Sequence, residues 1–245
     1  MARHDGRAID QLREVSIQTG YVKYPHGSVL ICCGDTKVIC TVQVEESVPN
    51  HVKAKSETMG WLTAEYALMP GAGLKRSERA GYGNATVKGR AHEIMRLIGR
   101  SMRAAVDLNK LGPRTLMVDC DVLQADGGTR TASITGSMVA LELAIKKLMA
   151  EGKLTENPIM HRIAAVSVGV NKGQTILDLD YIEDSHAETD LNLVMTEDGG
   201  FVEVQGTAEN GATYNRAQLE EMLRLGEGGI KKLFEIQRKA LESAK

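Results

Sequence analysis

Alternating hydrophobic and polar positions dominate the first third of the chain. Short runs rich in Val, Ile and Cys occupy residues 11–19, 28–33 and 37–44, and Gly34-Asp35 separates the last two. Such runs predict β-strands, and the glycine-containing turn predicts that the second and third form a hairpin. Residues 61–68 have the same character and are predicted as a further strand.

The hydrophobic period lengthens after about residue 86 and predicts a helix. Its apolar stripe comprises Ala91, Ile94, Met95, Ile98, Met102 and Ala105, while Arg96, Arg100 and Arg103 share another face. Alternation returns at residues 115–123 and predicts a strand. A glycine-rich turn follows, then a long helix through about Met149 that Gly152 ends.

The remainder of the chain predicts strands followed by helices. The strands are expected at residues 164–170, 175–181, 192–196 and 201–205. Two helices are expected at residues 216–225 and 230–243, separated by the sequence GEGG. Because no linker or low-complexity segment interrupts this order, we expect one α/β (α+β) domain over residues 1–245, with mixed sheets and packed helices.

The composition is that of an ordinary soluble globular protein. Hydrophobic residues make up 42% and charged residues 25% of 245 positions, and the formal net charge is −2. No apolar run reaches the ~20 residues that cross a bilayer. The polar start MARHDGRAID is unlike a signal peptide, so we expect a cytoplasmic protein without a membrane partner. The four cysteines lack CxxC spacing, which favours reduced core thiols over a zinc site.

The charges are unevenly distributed along the chain. Residues 70–103 contain eight Lys or Arg and two acids, and they include a glycine-rich segment, residues 70–84, that we expect to form a long exposed loop. Residues 178–190 contain six acids and no Lys or Arg. A basic zone and an acidic zone in one near-neutral chain suggest a polyanion site beside a metal site. Solvated faces and ordinary salt bridges are the alternative.

The sequence QADGGTRTASITG, residues 124–136, joins a predicted strand to the long helix and has the features of an anion site. Gly127 and Gly128 permit positive φ and let backbone N–H groups approach an oxyanion. Thr129 or Thr131 would cap the helix, whose positive end attracts an anion. Arg130 offers a forked donor suited to phosphate. The sequence is neither GxGxxG nor a Walker A loop, so a dinucleotide or a nucleoside triphosphate is not indicated.

Two interpretations of this turn remain open from the residues alone. The first is a phosphate site, and the second is a capped helix whose Arg130 pairs with Asp126. Arg90 follows Gly89 at the start of the preceding helix. It favours the first, because arginines at two helix starts can hold one phosphate dianion. Taken alone, Arg90 is a surface charge near Glu93.

The acidic sequence DLDYIEDSHAETD, residues 178–190, is the second candidate site. Mg²⁺ takes one or two carboxylates together with waters and substrate phosphates. A strand end and a short turn would direct Asp184 and Asp190 towards one point, where their repulsion favours a bound cation or a shared proton. An exposed acidic turn is the alternative.

Four motifs in this order resemble the ribonuclease PH family of phosphorolytic exoribonucleases. They are Arg90 with EIMRLIGR, DCDVLQADGGTRTASITG, DLDYIEDSHAETDLNLVMT and GGFVEVQGTAE, and the N-terminal DGR and GSVLICCGDTKVIC fit the same pattern. The resemblance implies the RNase PH-like fold of polynucleotide phosphorylase and the exosome ring, related to one domain of a small-subunit ribosomal protein. It also implies a homo-hexamer built as a trimer of dimers.

The family reaction uses inorganic phosphate to remove nucleotides from the 3′ end of tRNA precursors and other RNA, releasing nucleoside 5′-diphosphates. The resemblance assigns the attacking phosphate to Arg90, Gly128, Thr129 and Arg130. It assigns a divalent metal, Mg²⁺ or Mn²⁺, to Asp184 and Asp190, unless one of them assists proton transfer. The resemblance also implies that Arg76 and Arg79 contact RNA.

The chain departs from the family in the loop after Pro70. Family members carry an arginine directly after this proline and a Ser-Lys-rich stretch before the helix, whereas this chain has Gly71 and AGYGNATV. We therefore expect the contacts with tRNA, rather than the phosphate site, to differ from those of the family.

Two other functions remain open. One is a non-catalytic ring subunit that only binds RNA, since the fold has inactive members in exosome-type rings. The joint presence of Arg90, Arg130, Asp184 and Asp190 argues against it. The other is a phosphorylase of small metabolites, which leaves the basic loop without a role.

Overall fold

Two β-sheets organise the chain in the computed structural model, which describes residues 3–78, 89–209 and 211–244. The strands are β1 (Val15–Thr19), β2 (Gly27–Cys33), β3 (Thr36–Glu45), β4 (Trp61–Leu68), β5 (Thr115–Gln124), β6 (Ile163–Asn171), β7 (Gln174–Leu177), β8 (Thr189–Thr196) and β9 (Phe201–Ala208). The helices are α1 (Asn50–Lys53), α2 (Gly89–Ala105), α3 (Thr129–Ala150), α4 (Tyr181–Asp184) and α5 (Arg216–Glu242). The expected mixed α/β class is confirmed.

The first sheet has the order β1-β2-β3-β5-β4. β2 and β3 form the expected hairpin around Gly34, whose φ of +55° suits the tight turn. β4 and β5 pair in parallel, and α2 lies between them along the chain. The predicted stripe of α2 is confirmed, because Ile94, Ile98 and Met102 are completely buried.

The second sheet has the order β7-β6-β8-β9, and all of its neighbouring strands are antiparallel. Helix α3 lies between the two sheets, in contact with β2 and β3 on one side and with β6 on the other. Its residues 131–141 are all buried, so this part of the helix has no exposed face. The start of α3 is therefore fixed where the two sheets approach each other.

The two C-terminal helices predicted from the sequence are wrong: residues 216–242 form the single helix α5. Glycine weakens a helix interior by about 1 kcal/mol but does not stop it. Gly226 and Gly229 are buried on the side that faces the second sheet. A Cβ at Gly226 would lie 2.6 Å from Cδ2 of Leu193, and one at Gly229 would lie 2.9 Å from Cδ1 of Leu177. These glycines let the helix approach the sheet closely.

Two predicted strands are shorter than expected. β1 begins at Val15 rather than at residue 11. β7 ends at Leu177 rather than at residue 181, because Asp178 adopts a left-handed φ of +53°. Asp180 then begins α4 through a capping box with Glu183.

The cysteines agree with the expectation of reduced thiols. All four are free, and Cys33, Cys40 and Cys120 are buried. Among the described residues, no helix combines the length and the apolar character needed to cross a bilayer.

We expect opposite effects from two alanine substitutions within α5. Gly228 is exposed and a Cβ there meets nothing within 4 Å, so Gly228→Ala should raise the free energy of unfolding by about 1 kcal/mol. Gly226→Ala should lower it by ~1–3 kcal/mol, because the added methyl group would crowd the buried side chain of Leu193. Urea unfolding of both variants measures the two values, and equal effects would refute the close approach at Gly226.

Candidate phosphate and metal site

The turn between β5 and α3 has the backbone geometry of an anion site. Gly127 and Gly128 have φ values of +71° and +63°, as the sequence predicted. Gly128 is the N-cap of α3, and within the described residues no side-chain hydrogen bond caps the first N–H groups of the helix. The first turn also carries no acid. These N–H groups are therefore available to an oxyanion.

The expectation that Thr129 or Thr131 caps the helix is wrong. The hydroxyl of Thr131 donates to the Gly128 carbonyl at 2.9 Å. The hydroxyl of Thr129 is hydrogen-bonded to the hydroxyl of Tyr66 at 2.8 Å. Because the glycine at the N-cap supplies no side chain, the helix start stays open.

Arg130 pairs with acids and amides from two other elements rather than with Asp126. Its Nη1 lies 3.2 Å from Oε1 of Glu93 in α2 and 3.0 Å from Oε1 of Gln205 in β9. Gln205 also donates to Glu93 at 2.9 Å. Asp126 accepts instead from the backbone N–H of Tyr181 at 3.3 Å. The Arg130 side chain is 14% exposed, and among the described residues only its Nη1 has a hydrogen-bond partner, so its other donors can bind an anion.

Arg90 is exposed at the start of α2, where the sequence placed it. Burial raises the pKa of the Tyr66 phenol, and the charges of Arg90 and Arg130 both oppose that rise. The same two arginines act on the carboxyl of Asp184. The fold thus brings the starts of α2 and α3 and the end of α4 to one place.

The carboxyls of Asp184 and Asp190 lie close enough to influence each other. Burial raises the pKa of Asp190 to about 6, and the neighbouring charge of Asp184 adds to the rise. Arg130 and a hydrogen bond from Asn192 oppose it. Burial likewise raises the pKa of Asp184, against the charges of Arg90 and Arg130. Asp190 thus lies within electrostatic range of Asp184.

The other acids of the 178–190 sequence do not join this site. Asp178, Asp180 and Glu183 are buried, and they form ion pairs with arginines near the N-terminus, namely Arg3, Arg7 and Arg13. The acidic zone is thus divided into a buried, paired part, Glu188, which accepts from the backbone N–H of Gly173, and the two carboxylates of Asp184 and Asp190. Sequence reasoning missed the three arginines, because 165 or more residues separate them from their partners.

Two groups of carboxylates are candidates for binding a metal ion. Among the described residues, His4, Asp5 and Asp180 bring three potential ligand atoms together. Arg7 pairs with both of these carboxylates, so the cluster is already neutralised. Asp184 and Asp190 have no ion pair within the described part of the chain. Burial disfavours both negative charges, and so do neighbouring acids, Asp184 in the case of Asp190 and Glu209 in the case of both. Asp184 and Asp190 suit Mg²⁺, which takes one or two carboxylates.

The loop after Pro70 approaches this site from the side. The backbone N–H of Ala125 donates to the Ala72 carbonyl at 2.8 Å, and Ala72 is buried, so the loop start is docked rather than fully exposed as expected. Arg76 is exposed in this loop. Arg79, the other arginine predicted to contact RNA, lies outside the described residues.

Comparison with known proteins places this geometry in a family. A family model described as the 3′ exoribonuclease family matches in two parts, domain 1 over residues 11–146 and domain 2 over residues 161–229. The chain belongs to the RNase PH family of 3′ exoribonucleases. The resemblance noted in the sequence is therefore confirmed.

Solved structures share the fold along almost the whole chain. Rice (Oryza sativa) Rrp46 is 19% identical with a TM-score of 0.78, over 98% of this chain and 100% of that chain. A chain of the Archaeoglobus fulgidus exosome with RNA bound to the active site is 23% identical with a TM-score of 0.76, over 96% and 92%. An archaeal exosome core chain is 23% identical with a TM-score of 0.74, over 97% and 91%. These similarities establish the RNase PH-like fold.

We expect Asp190→Asn to stabilise this RNase PH family protein at neutral pH. Folding raises the pKa of Asp190 from 3.8 to about 6, which corresponds to about 3 kcal/mol at most. The folded state bears this cost above pH 6, and the cost disappears as pH falls from 6 towards 4 because the folded state binds the proton first. The amide of the variant carries no charge at either pH.

Unfolding measured in EDTA should therefore show a more stable variant at pH 8 and nearly equal stabilities at pH 4. Glu235→Gln, on the exposed side of α5, provides the control for losing a carboxylate. A stability difference for Asp190→Asn that does not change between pH 8 and pH 4 would contradict the raised pKa.

Proposed function

We propose that this protein is a phosphorolytic 3′→5′ exoribonuclease. It would trim the 3′ end of tRNA precursors with inorganic phosphate and release nucleoside 5′-diphosphates. The observation that carries this proposal is the convergence of Arg90, Arg130, Asp184 and Asp190 at the uncapped start of α3. Membership of a 3′ exoribonuclease family supports an RNA 3′ end as the substrate.

The attacking phosphate would bind at Arg90, Gly128, Thr129 and Arg130. A phosphate anion and a phosphodiester repel each other, so the nucleophile must be held and its charge balanced. The open N–H groups of α3 and the two guanidinium groups supply both. Glu93 competes for Arg130 in the free protein, and an arriving phosphate would take over donors of that guanidinium.

Asp184 and Asp190 would hold Mg²⁺ or Mn²⁺. When bound, the ion would balance charge on the scissile phosphodiester. Asp190 has an alternative role, because a pKa of about 6 leaves about one tenth of this carboxyl protonated at pH 7. That proton would pass to the 3′ oxygen that leaves when the terminal nucleotide is transferred to phosphate. No protein nucleophile is required, since phosphate itself attacks.

RNA would approach along the loop after Pro70. Arg76 is exposed there, and the start of the loop is hydrogen-bonded beside the glycine turn through Ala72 and Ala125. We propose that Arg76 and Arg79 contact the phosphates of the RNA. We further propose a homo-hexamer, a trimer of dimers, in the cytoplasm; the fold shared with exosome core chains supports a ring.

A non-catalytic subunit of an exosome-type ring is the second candidate. The full-length fold likeness to rice Rrp46 and to archaeal exosome chains favours it. The charged residues near the start of α3 favour the enzyme. Asp184 and Asp190 are half-buried and form no ion pair among the described residues, which costs stability that a purely structural subunit has no reason to bear.

The direct test supplies 3′-extended tRNA, Mg²⁺ and phosphate and identifies the nucleotide product. We expect nucleoside 5′-diphosphates, release that requires phosphate, and the reverse addition of nucleotides when diphosphates are supplied in excess. An unstructured RNA of equal length tests the preference for tRNA. Nucleoside monophosphates, or release that ignores phosphate, would refute phosphorolysis, and turnover of free nucleosides would indicate a metabolite phosphorylase.

Two substitutions test the assignment of residues. Arg130→Ala should raise the KM for phosphate and lower the rate by ~10²–10³, because one fixed donor to the developing charge is lost. Asp184→Asn should lower the rate by a similar factor and weaken the response to Mg²⁺. Arg100→Lys is the control, since Arg100 in α2 forms a pair at the surface with Glu203 in β9. Unchanged rates in both site variants would show that the site lies elsewhere.

A further inference from the structure

The glycine turn that precedes α3 is hydrogen-bonded by two side chains from distant parts of the chain. Thr36, at the start of β3, is completely buried. Its hydroxyl donates to the Gly127 carbonyl at 2.6 Å and accepts from the backbone N–H of Asp126 at 3.0 Å. One side chain therefore satisfies a donor and an acceptor of this left-handed turn.

Arg13 supports the same turn from the N-terminal segment. Its Nη1 donates to the Asp126 carbonyl at 2.5 Å. The space beside Gly128 is occupied by the same guanidinium, since a Cβ there would lie 3.0 Å from Nη2 of Arg13. The side chain is 6% exposed, so solvent and ligands do not reach it.

The remaining donors of Arg13 connect the turn to the segment that leads to α4. Nε and Nη2 bind the two carboxylate oxygens of Asp178 at 3.1 and 2.7 Å, a forked arrangement that lysine cannot reproduce. Asp178 is one of two non-glycine residues with positive φ in the described part of the chain. Such a conformation persists where its surroundings hold it.

The 126–128 turn and the segment 178–180 before α4 also contact each other directly. A Cβ at Gly127 would lie 2.6 Å from the carbonyl oxygen of Leu179. The N–H of Tyr181 donates to Asp126, and the N–H of Asp184 donates to the Asp180 carbonyl at 2.8 Å. A shift of the Arg13 guanidinium would therefore move the helix start that carries Arg130 and the helix that carries Asp184.

We propose that Arg13 and Thr36 are positioning residues of the phosphate site. They hold the 126–128 turn, and Arg13 also sets its distance from the turn before Asp184. Neither side chain touches phosphate. This inference rests on the proposed function. Its physical basis is that bound phosphate must be held close to its productive geometry, so a displacement of about 1 Å at the turn weakens binding and catalysis together.

Thr36 offers the sharper experiment because a matched control exists. Thr135 is also a buried threonine, and its hydroxyl accepts from the Ala165 N–H and donates to the Ala165 carbonyl. Thr36→Val and Thr135→Val each remove two hydrogen bonds to backbone from a buried site, so both should lose stability. We expect only Thr36→Val to raise the KM and Kd for phosphate, by ~10-fold or more. Thr36→Ser keeps the hydroxyl and should restore both values.

Arg13→Lys provides the second variant, with Arg162→Lys as its control. Arg162 forms a forked pair with Glu142 near the middle of α3, at 2.6 and 2.9 Å. Lysine breaks the fork in both variants, and only Arg13→Lys should weaken phosphate binding. The KM for RNA should change little in either variant.

Phosphate binding measured by calorimetry separates the possible outcomes. A wild-type protein that neither binds phosphate nor releases nucleoside diphosphates refutes the proposed function itself. A wild-type protein that does both, with Thr36→Val binding phosphate as tightly as Thr135→Val, overturns the positioning role alone. If Arg13→Lys does not fold, the comparison of Thr36→Val with Thr135→Val still tests the positioning role.

Discussion

The burial of α3 between the two sheets is the constraint on which the site depends. Residues 131–141 are enclosed on every side, so the helix can neither rotate nor slide without opening both cores. Its N-terminus is thereby fixed where β5 ends and where β8 and β9 pass. A helix start fixed in this way can keep its first N–H groups uncapped, because packing along the helix replaces the stability that a cap would contribute.

Charge balance around that helix start follows from the same arrangement. Three buried arginines from the N-terminal segment neutralise three of the acids before and within α4. Asp184 and Asp190 lack such partners in the described residues, so burial and repulsion raise the pKa of both. The fold thus separates acids that hold two turns together from acids whose charge remains available for a cation or a proton.

The sequence predicted most of the elements and named candidate site residues, but it did not predict the contacts around them. Strand and helix periods extend over only a few residues. For this reason the sequence predicted the strands β2 and β3, the apolar stripe of α2 and the glycine turn. The sequence GEGG predicted a break between two helices, because glycine disfavours a helix interior. In the folded chain the helix continues, and the glycines allow close packing against Leu193 and Leu177. The partners of Arg130 also differed, since Glu93 and Gln205 come from distant elements.

What the sequence by itself determined was the mixed α/β class, the family and the candidate residues Arg90, Arg130, Asp184 and Asp190, because motifs and periods are local and ordered along the chain. Only the tertiary structure decided which acids are paired, that Gly128 rather than a threonine is the N-cap of α3, and that Arg13 and Thr36 hydrogen-bond to the 126–128 turn. Those contacts join residues about 90 to 180 positions apart, and their energies depend on distance and burial in the folded chain, which no local pattern encodes.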